Sequence, residues 1–489
     1  MALDRRRMLQ LTAAAPLAGG IAAPAPAQQP APSQADLRAD HTIRIGTGLV
    51  ELGHDTVVST RLYSDSFPGP LLRLTEGRPV VVDVHNDTDT PEQLHWHGMF
   101  LPADVDGAAE EGTPPIPPHG MRRIAFTPRP AGFRFYHTHA HAGADLTIGG
   151  YSGLAGLLYV EPQNHPGAYD REVFVTLKEF SPFLTRTEMP DDFLSPSREV
   201  PELRAASEAA VKEALKAGRS EGFELGYSFC AINGRMLGQG DPIRVKPGER
   251  LLLHVLNASA SEIRSLALPG HVFTVVALDG NPVPRPTAVP VLWLGPAERI
   301  CAIVEMKHPG IWVMGDTNDE DRDHGMGIVV EYAGRKGKPQ WQKPPTARWD
   351  YRRFGNPGAS AAAPDETLQV TFAANVGARD GFDEFTLNGV AFAMDRMDPL
   401  FRLRQGARYR LLMRNATDDT HPIHLHRHSF ELTSIAGMPT AGVLKDVVLL
   451  GGFSEMTVDF VADQPGPSLF HCHMQNHMDH GFMALFDCA

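Results

Sequence analysis

The residues best equipped for chemistry in this sequence are histidines, and they come in pairs. His95 and His97, His137 and His139, His424 and His426, and His471 and His473 are each separated by one residue. On a strand, residues two apart project from the same face, so each pair offers two imidazoles to one metal site. A single pair is an ordinary surface or core feature. Four pairs are not explained by packing, because histidine fills a core poorly and each buried ring nitrogen needs its own partner. Eight convergent imidazoles suit a cluster of borderline metal ions such as copper.

A cysteine narrows the metal. In LFHCHMQNHMDHGFM, Leu469–Met483, Cys472 lies between His471 and His473 and so points to the opposite face of their strand. There it can meet His477, one turn further on, and His421 of the HPIHLH segment. Two imidazoles and one thiolate in a trigonal arrangement make a blue-copper electron-transfer site. A one-electron port would then stand beside a multinuclear centre, joined to it through one tripeptide.

The elements that must position these groups are short Val/Leu/Ile/Phe runs separated by Gly, Pro, Asn and Asp, the pattern of all-β sandwiches. A repeat emerges when the runs beginning near Phe67, Ile232 and Leu387 are stacked. Each has a Gly turn, a short strand, a second Gly opening an alternating strand, and an Asn that ends it. The first and third copies carry histidine pairs and the middle copy has none. Three tandem β-sandwich domains are expected at 40–163, 168–335 and 366–489, with metal ligands in the first and last. PELRAASEAAVKEALKAG, Pro201–Gly218, reads as a helical insertion in the middle domain. Residues 336–365 read as a Pro-rich linker.

The chain begins with Arg5, Arg6 and Arg7, a short apolar stretch and the small-residue site Ala25-Pro26-Ala27. Residues 1–27 read as a twin-arginine signal peptide, which implies export of a folded, cofactor-loaded protein to the periplasm or beyond. No apolar run is long enough to span a bilayer, so a soluble mature chain is expected. A net charge of −13 leaves no basic stripe for nucleic acid. Four cysteines are too few for a disulfide scaffold, although Cys230 and Cys301 are free to pair in an oxidising compartment.

HWHG, HTHAH, HPIHLH and HCHMQNH, in this order, resemble the four copper-binding signatures of three-domain multicopper oxidases, the laccase-like enzymes. The likeness extends from about residue 40 to the C-terminus. It implies Greek-key cupredoxin domains, four coppers, and one-electron oxidation of a small donor coupled to reduction of O2 to water. Carried over by position, it implies that His421, Cys472 and His477 hold a type 1 copper. His95 and His424 would hold type 2; His97, His137, His139, His426, His471 and His473 would hold the type 3 pair.

Several positions depart from the family pattern. The axial position, ten residues beyond the cysteine, is Phe482 where many bacterial relatives have methionine. Met483 is next door but would face the other way along a strand. Arg427 replaces a customary glycine, as a surface residue or as one that orients neighbouring ligands. O2 reduction consumes protons, and Asp106 resembles the family's acid. The residue after His477, often glutamate in bacterial relatives, is Met478, so Asp479 is a second proton-donor candidate, or a loop-bonding residue. His119, His141, His428 and His480 read as surface or supporting histidines.

An oxidase of phenolic or aromatic amine-type donors is the leading expectation. A cuprous or other metallo-oxidase is the alternative, weakened by the lack of a long methionine-rich run among the 17 methionines. A non-catalytic copper store would be expected to have lost ligands, and a copper nitrite reductase would not need all four pairs.

Overall fold

The first strand, His41–Gly53, buries Ile43 and Ile45 while Thr42 and Arg44 face out, the alternation of a sheet with one wet face. The computed structural model describes residues 38–162, 168–186, 198–346, 348–356, 359 and 361–489. The arginine-rich leader therefore lies outside the described residues.

Three sandwiches follow along the chain. In the first, the sheet ordered Thr56–Tyr63, His41–Gly53, Val80–Asn86, Gly120–Phe126 packs on the sheet ordered Gly69–Thr75, Ala155–Glu161, Gly132–Thr138, Leu94–His97. The second combines a six-stranded and a five-stranded sheet, and the third a seven-stranded and a five-stranded sheet. One apolar core runs through the second and third, including Leu253, Ile300, Phe372, Leu411 and Phe470. Phe133, Phe135, Leu252 and Val447 form a smaller cluster where all three meet.

Register brings the histidines together. Leu94–His97 pairs antiparallel with Gly132–Thr138, setting His95 opposite His137. In the third sandwich His424 stands opposite His471, and Ile423 opposite Cys472. Directly opposed residues lie about 5 Å apart, so each pairing makes one patch of imidazoles from two strands.

The insertion is a helix, Pro201–Lys216, with proline at its start, where a missing N–H costs nothing. It leans on the third sandwich: Arg204 lies 4.3 Å over the Phe453 ring, and the Val200 N–H donates to the Phe453 carbonyl at 2.8 Å. The Pro-rich stretch before the third sandwich is more than a spacer, because Trp349, Tyr351 and Phe354 are buried in the shared core. Composition hid those aromatic anchors. All four cysteines are free; Cys230 and Cys301 lie on strands of one sheet separated by two others.

Candidate metal centre

Cys472 ends the strand Gly466–Cys472, His421 opens His421–Leu425, and His477 sits on the short helix Gln475–Asp479. The Cys472 Sγ lies 3.8 Å from His421 Nδ1 and 3.6 Å from His477 Nδ1, and the two nitrogens are 3.2 Å apart. A trigonal ion bound at about 2.0 Å to nitrogen and about 2.3 Å to sulfur needs edges of about 3.5–3.7 Å. The triangle is close to that size before any ion enters. Thr417 Oγ1 bonds His421 Nε2 at 2.6 Å, which turns Nδ1 toward the sulfur. Burial pushes His421 down to about 3, and His477 well below its ordinary value, so both rings are neutral donors. The same burial pushes the thiol up, so metal binding must displace its proton.

The Phe482 ring stands edge-on to His421, with centroids 4.9 Å apart, and its carbonyl accepts the Cys472 N–H at 3.1 Å. Met483 faces away, packed with Ala108, Phe392, Leu469 and Met478.

On the opposite face of the Cys472 strand the eight paired histidines meet. Their ring nitrogens fall into three groups: His97, His137 and His473; His139, His426 and His471; and His95 and His424, with His97 near them. His97 stacks on His424 at 3.9 Å and His95 on His426 at 4.0 Å, so rings from the first and third sandwiches interleave. One nitrogen of most rings is pinned. His95 and His424 each donate Nδ1–H to a backbone carbonyl, of Asp106 at 3.0 Å and of Asp446 at 2.6 Å. His137 and His471 donate to the carbonyls of Thr138 and Cys472.

The nitrogens left over face inward. Nε2 of His95, His424 and His473, and both nitrogens of His139, have no hydrogen-bond partner among the described residues. An unpaired buried polar atom costs about 1–3 kcal/mol, and metal ions taking one lone pair from each of these rings remove that cost at those atoms. Burial first, then the neighbouring rings, pushes His97, His137, His424, His426, His471 and His473 well below the usual imidazole value. Neutral imidazoles are the form that ligates copper, and the donor set fits that metal.

The sequence reading missed several charged groups around this cluster. Asp446 accepts from His97 Nε2 at 3.1 Å, leaving Nδ1 free for a metal. Arg299 grips the Asp446 carboxylate with two nitrogens at 2.6 and 2.5 Å, and Arg134 adds a third contact at 3.2 Å. One carboxylate thus ties all three sandwiches to a cluster histidine. Gly98 of HWHG makes room: at φ +77°, an added Cβ would lie 2.5 Å from Asp446 Oδ2.

Asp106 is fully buried and accepts from His426 Nδ1 at 2.8 Å, with His95 Nδ1 at 3.0 Å. Glu111, also missed, accepts the Leu469 N–H at 2.6 Å and lies 3.4 Å from His426 Nδ1. Burial and the Asp106 carboxylate push Glu111 well above the carboxylate range, so it keeps a proton beside the cluster.

Asp479 accepts from the Ala142 and Gly143 amides at 3.1 and 2.8 Å and from Gln475 Nε2, which makes it a loop anchor. His141 bridges Asp479 and the Glu110 carboxylate; these two partners outweigh burial and hold its pKa up at about 10. His119 pairs with Asp89 at the surface; His428 and His480 donate to the carbonyls of His426 and Asn476. Arg427 is buried and donates to the carbonyls of Leu101, Pro465 and Pro467 and to Ser468 Oγ. Its φ of +64° explains why glycine suits this position elsewhere and shows arginine accepting that strain to clamp the loops.

Family models described as multicopper oxidase match residues 47–165, 204–332 and 362–488. The chain is 30% identical over 451 residues to a multicopper oxidase of Mycobacterium tuberculosis, covering 90% of this chain and 84% of that protein. It is 25% identical over 487 residues to a laccase of Fomitopsis schrenkii, covering 88% and 85% respectively. The solved multicopper oxidase of Pseudomonas thermotolerans matches with a TM-score of 0.68 at 25% identity, over 92% of this chain and all of that one. Cupredoxin sandwiches and a buried histidine framework define a copper oxidoreductase with O2 as acceptor. The chain belongs to the multicopper oxidase family, among its three-domain, laccase-like members.

Proposed function

We propose that this oxidase takes single electrons from phenolic or aromatic amine-type donors and passes them to O2, forming water. In this reading His421, Cys472 and His477 hold a type 1 copper, His95 and His424 a type 2 copper, and the other six paired histidines a type 3 pair. The observation that carries it is the position of Cys472. Its sulfur completes one triangle while both sequence neighbours place their rings in the cluster, giving a covalent path between the centres. Copper supplies the one-electron steps and the reduction of O2. The protein holds the ligands neutral, fixes their orientation through Thr417, Asp106 and Asp446, and keeps carboxyl protons nearby. The leader at 1–27 supports twin-arginine export to the periplasm or beyond, and no described helix is long and apolar enough to cross a membrane.

A second reading, oxidation of a reduced metal ion such as Cu(I), is favoured by one feature. Met394 and Met397 expose 47% and 38% of their surface beside Asp395 and Asp398, on the loop after the strand Phe382–Leu387. That loop reaches the type 1 region, since the Phe392 N–H donates to the Gly481 carbonyl at 3.1 Å. Thioethers select Cu(I). Steady-state O2 uptake by the copper-loaded protein with a phenol, an aromatic diamine and Cu(I), side by side, separates the readings. Activity with Cu(I) alone refutes the organic-donor assignment.

Phe482 sets the driving force. Copper held by His421, Cys472 and His477 with Phe482 beside it in place of a thioether would leave Cu(II) without a donor that Cu(I) misses less, so the potential is expected to exceed that of a methionine-ligated site. Phe482→Met should lower it, and since 59 mV is a tenfold change for one electron, a shift of about that size is readable by redox titration. An unmoved potential, with Met483→Leu raising it, would make Met483 the ligand instead.

A further inference from the structure

We propose that the middle sandwich, which has no histidine pair, carries a proton route from the surface to the histidine cluster through Glu262, Glu179 and Ser259. The inference rests on the reading of that cluster as the site of O2 reduction. Each O2 takes up four electrons from donors and four protons from solvent to give two waters; six of the eight cluster histidines are buried, and His137 and His473 are half-buried where they line a small cavity. Protons therefore need a path.

Two cavities lie at the ends of this one. The inner cavity, of about 40 Å³, is lined by His137, His139, His471 and His473 together with Ser259. It has room for water beside polar groups. The outer cavity, of about 100 Å³, is lined by Tyr227, Glu262, Arg264 and Asp321, with exposed Glu320 at its edge.

Hydrogen-bonding groups line the space between, although no side-chain bond among the described residues joins the Glu262 carboxyl directly to Glu179. The Ser259 hydroxyl donates to one Glu179 oxygen, and the Ala260 N–H donates to the other at 2.6 Å. The Glu262 N–H donates to Ser259 Oγ at 3.1 Å. Ser261 donates to the Glu262 carboxylate at 3.1 Å and lies 2.8 Å from the Tyr227 hydroxyl. Arg264 spans the gap, 3.8 Å from Glu179 and 2.6 Å from Asp321.

Stability alone does not call for this arrangement. Lys178 and Arg264 suffice to pair Glu179, and a second carboxyl beside it adds like-charge repulsion. The two carboxyls differ as carrier and acceptor should. Burial pushes Glu262 up to about 7, with Glu179 and Asp321 adding and Arg264 and Ser261 opposing; His324 and Glu320 also line its cavity. Burial raises Glu179 as well, but Lys178, Arg264 and Ser259 outweigh it and keep it ionised. Glu262 would thus give its proton to Glu179 through a water beside Arg264 and regain one from the outer cavity, with no net change. Its proton is present below pH 7 and lost as pH rises through that value.

The test is Glu262→Gln in the copper-loaded protein. Anaerobic bleaching of the blue chromophore by donor should keep its rate. Reoxidation by O2 should slow by about tenfold or more and lose its decline above neutral pH. An infrared pH titration should show a protonated-carboxyl band that fades through about 7 in the parent and is missing from the variant. Glu262→Asp should recover part of the rate. Unchanged reoxidation and an unchanged pH profile in Glu262→Gln overturn the route. Should that variant fold poorly, Ser259→Ala decides by the same kinetics, with the infrared band retained. A parent that consumes no O2 with any donor overturns the oxidase reading instead.

Discussion

Cys472→Ser should yield a protein without blue colour that oxidises no organic donor at a measurable rate, yet still binds metal in its histidine cluster. The blue absorption comes from a thiolate, and a serine hydroxyl is too weak an acid to replace it at neutral pH. Electron entry fails with the colour, because His421 and His477 alone leave the trigonal site without its anionic ligand and the covalent path without its first atom. The cluster should survive for a geometric reason. His471 and His473 project from the other face, and His471 is pinned through the backbone carbonyl of residue 472, which any side chain retains. The Cys472 N–H bond to Phe482 is likewise a backbone bond. Swapping sulfur for oxygen in a buried pocket also loses little volume, so the fold should hold. Visible spectroscopy, copper content and O2 uptake on one preparation check all three parts. A variant that stays blue would sink the assignment of the thiolate.

The same alternation explains what could be read from the sequence. Residues two apart on a strand share a face and their neighbour takes the other, so the four pairs and the opposed role of Cys472 were visible without knowing which strands touch. The helix Pro201–Lys216 was visible because its composition departs from the β-rich surroundings. The supporting charges were hidden because their partners lie far away in sequence. Asp446 meets Arg299, Arg134 and His97 only after three sandwiches dock. A signal was present all the same: Asp446 directly precedes the buried strand Val447–Leu450, and Arg134 stands between Phe133 and Phe135. Charges embedded in such runs are rarely buried without a partner. Glu110 and Glu111 gave no such signal, since their segment reads as a polar loop. Arg427 looked ambiguous because its backbone angle and four-way clamp exist only in the fold.

Asp106→Asn is expected to separate the two halves of the reaction. The aspartate is buried, bonds His426 Nδ1 at 2.8 Å, and lies with Glu111 against the same ring. Asparagine keeps the shape and can still accept from one imidazole. It removes the negative charge and the ability to relay a proton from Glu111. That carboxyl is held protonated partly by the charge on Asp106, so neutralising Asp106 should let Glu111 ionise more readily and hold its proton less well at neutral pH. The proposed port for electrons, at Cys472, His421 and His477, lies on the opposite face of the Cys472 strand and touches neither carboxyl, so donor should bleach the blue chromophore at the parent rate in anaerobic stopped flow. O2 turnover should fall by roughly 10²–10⁴, the range for loss of a positioned acid–base group. Glu111→Gln serves as the companion. If the pair works as a unit, each single variant should cost nearly as much as the double, because interrupting a relay at either point stops it. Parallel pH profiles of unchanged height in Asp106→Asn and the parent would show that the carboxylate only orients His426. Proton supply would then have to come from elsewhere around the cluster.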